Sequence, residues 1–600
     1  MPAELPSVET LPHLIRRALE EPRDEALLER VDGKWTATST SRILERAENL
    51  ACAIRDAGLS LGDRVALIAH DCVDWIICDF ATFFAGCVVV PIYPTQALDQ
   101  TGFILKHSES KLLFIDSHKS LGRLKDAGVE LPRAVVLESD GDDSLRVFEA
   151  HGAVIRAAHP ELPGAYEAPV SAQDLAVLIY TSGTTGDPKG VMLSHDNLGF
   201  DAQAALCYGL NAIQRDEPVL SVLPFSHIYE HTLIYIYLLA KTRYSICHDA
   251  NDLLTDLQDV RPTMMTSVPR IFDRVLAGVQ AKAMQHGGLQ AKLVPWALRI
   301  SREWAHAKTF GGGPNPMLAL QYGIAKKVVL DKLVKLLGLD RIRNFTSGSA
   351  ALHVDVAMTF LGMGLPIMQG YGLTETSPII TVSRQEDNIY GYVGKTIPGC
   401  DVRIAEDGEV LARGRNVMQG YYREPEATAS AIVDGWFHTG DIGELDGDGF
   451  LRITDRKKEV FKTATGKYVA PSRVEAAIKR SLFVAQAMVI GDGRPHPAAL
   501  IVPNWDVVRI ELDLPKTATN EELALRDDVE TFVTNEVRKQ TEDLASYEQI
   551  RRVVVLPRDF SVESGELSPS MKIKRRVVED RYRARIEQAY AVDLRAHAHA

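Results

Sequence analysis

Tyr180-Thr181-Ser182-Gly183-Thr184-Thr185-Gly186-Asp187-Pro188-Lys189-Gly190 follows directly on Leu175-Ala176-Val177-Leu178-Ile179, an apolar run short enough to be a buried strand. The stretch has little side-chain bulk at its glycines, several Ser and Thr hydroxyls, free backbone N–H groups and the charge of Lys189. A concave loop of donors behind a strand suits a polyphosphate. It is not a standard P-loop, because counting from Gly183 puts Pro188 at the second glycine and Gly190 at the hydroxyl position. Kinase-like and GTPase-like chemistry thereby lose their main support.

Working outward, short apolar runs alternate with helical spacing. Pro12 to Glu20, Ser41 to Gly58 and Asp74 to Ala85 read as helices. Gly62 to Ile68 reads as a turn feeding a strand, and Cys87 to Ile92, Lys111 to Ile115 and Arg133 to Leu137 read as further strands. That alternation predicts an α/β fold with a largely parallel, helix-covered sheet. Residues 270–337 read as a helical excursion broken by Gly311-Gly312-Gly313-Pro314, and Arg343 to Ala351 as a return to strand and turn. Asn344-Phe345-Thr346 matches a glycosylation acceptor by chance. Beyond Gly394 short strands follow, and after Asp455 an α+β pattern begins, with Ser472-Arg473-Val474-Glu475 expected to open a helix as a capping box running to Leu482. Strands are expected at Val484 to Ile490, Ala498 to Val502 and Arg552 to Leu556.

At 600 residues the chain exceeds one core. The division expected is 1–455 and 456–600. A net charge of −13 disfavours nucleic acid as a partner. Seven scattered cysteines without CxxC read as reduced thiols, and no signal peptide opens the chain, so a cytoplasmic protein is expected. The most apolar stretch, Phe80 to Tyr93, is too short to span a bilayer. Peripheral contact with the inner face of a membrane and homo-oligomers both stay compatible. His597 and His599 read as tail rather than as a metal site.

Three more motifs stand far apart. Gln369-Gly370-Tyr371-Gly372-Leu373-Thr374-Glu375-Thr376 follows an apolar run, and Asp434 to Gly443 holds Asp441. Glu566 to Arg575 holds Lys572 in a basic run. Glu375 is an oxygen ligand of the kind that magnesium (Mg2+) takes singly. A lysine suits the gap between a carboxylate and a phosphate.

Together these segments resemble the adenylate-forming superfamily of acyl-CoA synthetases, luciferases and peptide-synthetase adenylation domains. From Arg42 to Arg576 the chain looks most like long-chain fatty acyl-CoA synthetases, with Met571 standing where many relatives have glycine. The resemblance implies a large N-terminal domain of helix-covered sheets with a small β-barrel-like part, followed by a small mobile α+β C-terminal domain. It implies ATP, Mg2+ and CoA, with a fatty acid as substrate. Thr181, Ser182, Gly183, Thr184, Thr185 and Gly186 would cradle phosphate beside Lys189, with Thr181 and Glu375 on the metal side. Ser349, Gln369, Gly370, Tyr371, Gly372, Thr374, Asp441 and Arg456 would hold the nucleotide. Lys572 would catalyse adenylation, Lys458 would be the pivot, and Lys462 would lie on the face used for thioester formation. The reaction implied is carboxylate plus MgATP to acyl-adenylate, then CoA thiol to acyl-CoA. An acyl-AMP ligase that loads a carrier protein and an inactive nucleotide-binding scaffold are the alternatives. Leu223-Pro224-Phe225-Ser226-His227-Ile228-Tyr229-Glu230-His231 resembles the motif beside the acyl pocket, with His227 read as a core histidine. The apolar run Leu233 to Leu239 could line an alkyl tunnel or simply pack the core.

Overall fold

The computed structural model describes residues 5–181, 188–209, 213–249, 251–286, 288–515, 517–562, 564–568 and 572–598. The strand Leu175–Thr181 is buried over Ala176 to Tyr180, as its apolar run requires, and joins a seven-stranded sheet. In that sheet it lies parallel to Val88–Pro91, followed by Arg64–Ile68, Leu112–Ile115 and Arg133–Val136. On its other side it turns back antiparallel into Lys189–Ser194, setting Thr181 opposite Lys189. Ser182 to Gly186 lie outside the described residues, as do Met571 and His599.

A nine-stranded sheet has a parallel centre: Ile367–Gly372, Asn344–Ser347, Met264–Ser267, Pro218–Ser221, Arg243–Ile246 and Leu27–Val31. Its far edge is the hairpin Leu27–Val31 with Lys34–Thr38. Asp32-Gly33 at that turn, both at positive φ, is a hairpin signal that the sequence reading passed over. Asn344 is buried in this sheet, which removes any glycan reading.

Between the sheets sits one aromatic core in which Trp75, Phe80, Phe83 and Phe84 are wholly buried. Helix Ile228–Leu239 runs through it, buried from Ile228 to Leu238. Helix Thr40–Asp56 crosses Leu145–Ala158 so closely that a Cβ on Gly152 would stand 1.8 Å from the Asn49 carbonyl oxygen.

The short strands after Gly394 form a five-stranded antiparallel sheet, in which Trp436–Leu445 pairs with Glu409–Gly414, Ile432–Val433 and Leu451–Arg456. The last of these strands ends at Arg456, and the chain passes through a turn into the ribbon Phe461–Lys462 with Tyr468–Val469. Beyond it a three-stranded sheet, Val484–Ile490, Ala498–Pro503 and Arg552–Val555, builds a separate core with helices Pro471–Ile478 and Asp527–Thr541.

One local expectation fails here. Helix Pro471–Ile478 has Ala470 as its N-cap with no side-chain cap bond, and it stops before Leu482. Pro471 suits the first helical position and starts the helix one residue early, so Ser472 lies inside it. Glu475 is taken elsewhere: it accepts from the Val489 N–H and the Arg575 guanidinium, each at 2.7 Å.

Candidate active site

An open recess of about 690 Å³ lies at the carboxyl ends of the parallel strands Met264–Ser267, Asn344–Ser347 and Ile367–Gly372. That edge is where open α/β sheets bind ligands, because strands end there and loops diverge. Thr266, Thr346, Gly348 and Ser349 line one wall, Gly370 to Thr374 another, and His227, Tyr229 and Leu233 a third. Lys572 closes it from the C-terminal part of the chain.

Each wall has a local cause. The strand Ile367–Gly372 runs into a tight turn in which a Cβ on Gly372 would fall 1.6 Å from the Pro378 carbonyl oxygen, so only glycine fits. The turn Thr374–Thr376 then presents Glu375, which accepts from the Tyr421 hydroxyl at 2.9 Å. The Glu375 carbonyl accepts from the Met418 N–H at 2.9 Å, and Asn416 donates to the Ile379 carbonyl at 2.7 Å, clamping the turn from behind. Lys189 sits 5.2 Å over the Tyr421 ring, so Lys189 and Glu375 flank one tyrosine. Tyr421 had no signal in the sequence beyond its place after Gly420.

Asp441 is 2% exposed and is gripped from two sides. The Tyr371 hydroxyl donates to one of its oxygens at 2.8 Å, and Arg456 reaches the other at 3.0 Å. Register explains the second contact: Asp441 and Arg456 are direct cross-strand partners although 15 positions apart. Burial raises the Asp441 carboxyl above its usual range despite the opposing pull of Arg456, Tyr371 and Lys572.

Lys572 leaves a narrow hairpin in which its N–H bonds to the Ser568 hydroxyl at 3.1 Å and its carbonyl accepts from the Ser568 N–H at 2.8 Å. Three residues on, Arg575 is fastened to Glu475 at 2.7 Å and Glu459 at 3.3 Å, which holds the hairpin's base. The residue keeps part of its surface in water while lining the recess along with Tyr371. Loss of hydration and the neighbouring Arg456 lower its pKa to about 8, against the pull of Asp441, Glu375 and Glu459. Lys572 and Asp441 are both pushed toward their neutral forms, so neither charge is fully compensated by the other.

His227 departs from the core-histidine reading. Its Nδ1 accepts from the Tyr229 N–H at 3.1 Å, which assigns the proton to Nε2, and the side chain lines the recess. Burial, aided by Lys572, lowers its pKa to about 3, so it stays a neutral donor. Tyr229 packs its ring over Gly348, where a Cβ would meet it at 2.8 Å. The Tyr229 hydroxyl and Thr346 Oγ1 are buried without a protein partner, and both residues face the recess. Unpaired buried donors of this kind fit a polar substrate group.

Other expected residues lie apart from this wall. The Gln369 side chain donates to the Tyr392 carbonyl at 3.1 Å instead of facing the recess. Thr181 is half-buried at its strand end. Lys458 is exposed in the turn after Arg456, and Lys462 lies 5.4 Å over the Tyr468 ring on the ribbon. Among the described residues no cluster of three or more His, Cys, Asp or Glu could hold a metal. A magnesium ion carried in on phosphates needs only one such carboxylate, and Glu375, on a turn that packs against the strand Lys189–Ser194, fits that demand.

The family model for AMP-binding enzymes matches residues 14–422, and that for the AMP-binding enzyme C-terminal domain matches 458–593. A long-chain-fatty-acid--CoA ligase of Mycobacterium bovis is 34% identical over 567 residues, covering 93% of this chain and 93% of its own. A long-chain-fatty-acid--CoA ligase of Homo sapiens is 31% identical, covering 98% of this chain and 86% of its own. Among solved structures, the adenylation domain of a carboxylate reductase from Mycobacterium chelonae superposes with a TM-score of 0.76 at 23% identity, over 97% of this chain and 91% of that one. ATP-bound MatB from Rhodopseudomonas palustris gives 0.67 at 23% identity, over 95% of this chain and 99% of that one. Their low identity speaks for the fold alone. With both of its models matched in order along the sequence, the chain belongs to the AMP-binding enzyme family.

Proposed function

We propose that this protein is an ATP-dependent long-chain fatty acid:CoA ligase that works through an acyl-adenylate. One observation carries the chemistry: Lys572, from beyond residue 456, lines the same recess as Tyr371, and it lies within electrostatic reach of Asp441 and Arg456. The names of the full-length relatives support the acid and the acceptor.

In this reading Asp441 accepts from the ribose hydroxyls, and Thr374 with the loop before Lys189 donates to phosphate. Glu375 and Thr181 would hold Mg2+, which supplies positive charge to the departing pyrophosphate. Lys572 stands between the fatty carboxylate and the α-phosphate, where two anions must meet. Its charge stabilises the transition state while the carboxylate oxygen forms the new bond and the pyrophosphate oxygen leaves with the electron pair. His227 Nε2–H and the unpaired Tyr229 hydroxyl donate to the acid's oxygens, and Leu233 begins the apolar wall for its chain. CoA then needs the place that Lys572 occupies, so residues beyond 456 pivot at Lys458 and bring Lys462 to the site.

The test is a panel of fatty acids assayed for pyrophosphate exchange and for AMP release with and without CoA. Fatty-acid-dependent exchange followed by CoA-dependent AMP release is expected. Exchange with AMP release that ignores CoA would overturn the acceptor.

A further inference from the structure

We propose that the helical projection spanning residues 290–336 docks the protein on an anionic lipid surface. This goes beyond the ligase reading and does not depend on it, since the test reads binding without turnover.

The projection is two antiparallel helical segments, Gln290–Phe310 and a run from Pro316 to Leu336, joined at Gly311 to Asn315. The inner side of the second segment is spoken for: Tyr322 stacks on Trp304 at 4.0 Å, and Val329, Leu330 and Val334 are buried. Its outer side should be polar in a helix that faces only water. Instead Met317 is 65% exposed, Leu320 63%, Ile324 49% and Val328 45%. Their spacing puts them in one stripe, and Phe310 adds an exposed ring across the turn. Lys327, Lys332 and Lys335 are exposed on the same solvent side, where the stripe continues toward Leu336.

Charge selects the occupant. Residues 290–336 hold eight lysines and arginines against Glu303 and Asp331, a local charge of +6 on a chain of −13. Two copies meeting face to face through this stripe would set one basic surface against another. The apolar side chains also form one exposed ridge from Phe310 across the turn to Val328. A bilayer interface accepts such a ridge, taking the large side chains among the acyl chains and the lysines among phosphates. No helix of the described residues is long and apolar enough to cross a membrane, so the ridge lies on the surface.

The experiment is flotation of the full chain with phosphatidylcholine vesicles, alone or with about three parts in ten of phosphatidylglycerol. Capture by the anionic vesicles, weakened by salt, is expected, with little on the neutral ones. Lys327→Glu with Lys332→Glu and Lys335→Glu should lower partitioning by at least about 100-fold, each lysine being worth roughly a factor of five near such a surface. Met317→Ser with Leu320→Ser and Ile324→Ser should lower it about tenfold. Both triples should keep wild-type circular dichroism and adenylation of a short, water-soluble acid. Wild-type protein that stays unbound, equal capture on neutral vesicles, or triples that float like the parent would overturn the proposal. A lipid-free dimer that the serine triple converts to monomer would assign the stripe to a second copy and overturn it too.

Discussion

If the ammonium of Lys572 is the cation that lets carboxylate and phosphate meet, adenylation must fail when it loses its proton. The structure places that loss unusually low, at about 8, because hydration is lost and Arg456 stands near. An ordinary lysine near 10.4 would be almost fully protonated at pH 9, whereas one at 8 keeps about one-tenth of its charge. The kcat/KM for fatty-acid-dependent pyrophosphate exchange reports the free enzyme and avoids the CoA thiol. It should therefore halve near pH 8 and fall about tenfold by pH 9 relative to its plateau. Arg456→Met removes a like charge and should move this limb upward. Lys572→Arg should flatten it at a lower plateau, because guanidinium keeps its proton. Stability carries the opposite sign: between about 8 and 10.5 the unfolded chain binds the proton that the folded site has released, so this group's contribution rises with pH across that window. An exchange profile flat to pH 9.5 in the parent would refute the reasoning.

Three further outcomes are expected. Lys572→Ala should cost about 10³-fold in adenylation while thioester formation from supplied acyl-adenylate largely survives, and equal loss of both half-reactions would contradict the two-step use of the tail domain. Tyr421→Phe frees the Glu375 carboxylate from its 2.9 Å partner and should change the magnesium dependence of exchange, with the KM for MgATP rising about tenfold and little effect on the KM for fatty acid. Gly152→Ala drives a methyl into the Asn49 carbonyl, so hydrogen exchange should show the two crossing helices weakened by about 2–3 kcal/mol, with pyrophosphate exchange intact at low temperature.

Much of the alternating framework was legible, because buried parallel strands are short apolar runs and Val88–Pro91 or Leu112–Ile115 can be little else. The hairpin at Asp32-Gly33 went unseen since its strands are only partly buried and polar, leaving the turn as the one signal. Around the recess, glycine-rich and charged motifs singled out Gly370 to Thr374 and Lys572, which line it, and Asp441, which is bonded to Tyr371. What completes them depends on contacts between distant segments. The pairing of Asp441 with Arg456 follows from strand register, and Tyr421 behind Glu375 from a strand laid against Lys189–Ser194. The misplaced capping box has a similar origin, since Arg575 from far along the chain draws Glu475 away from the helix end.

Arg456 ends the strand Leu451–Arg456 and stands two positions before the joint proposed at Lys458. In the proposed reading, its bond to Asp441 would link nucleotide occupancy to the release of the residues beyond the pivot. A ribose that competed for the carboxylate would loosen the residue beside the proposed pivot, so loading the first substrate would prime the departure needed for the second. Order of events would then be written into a single strand end.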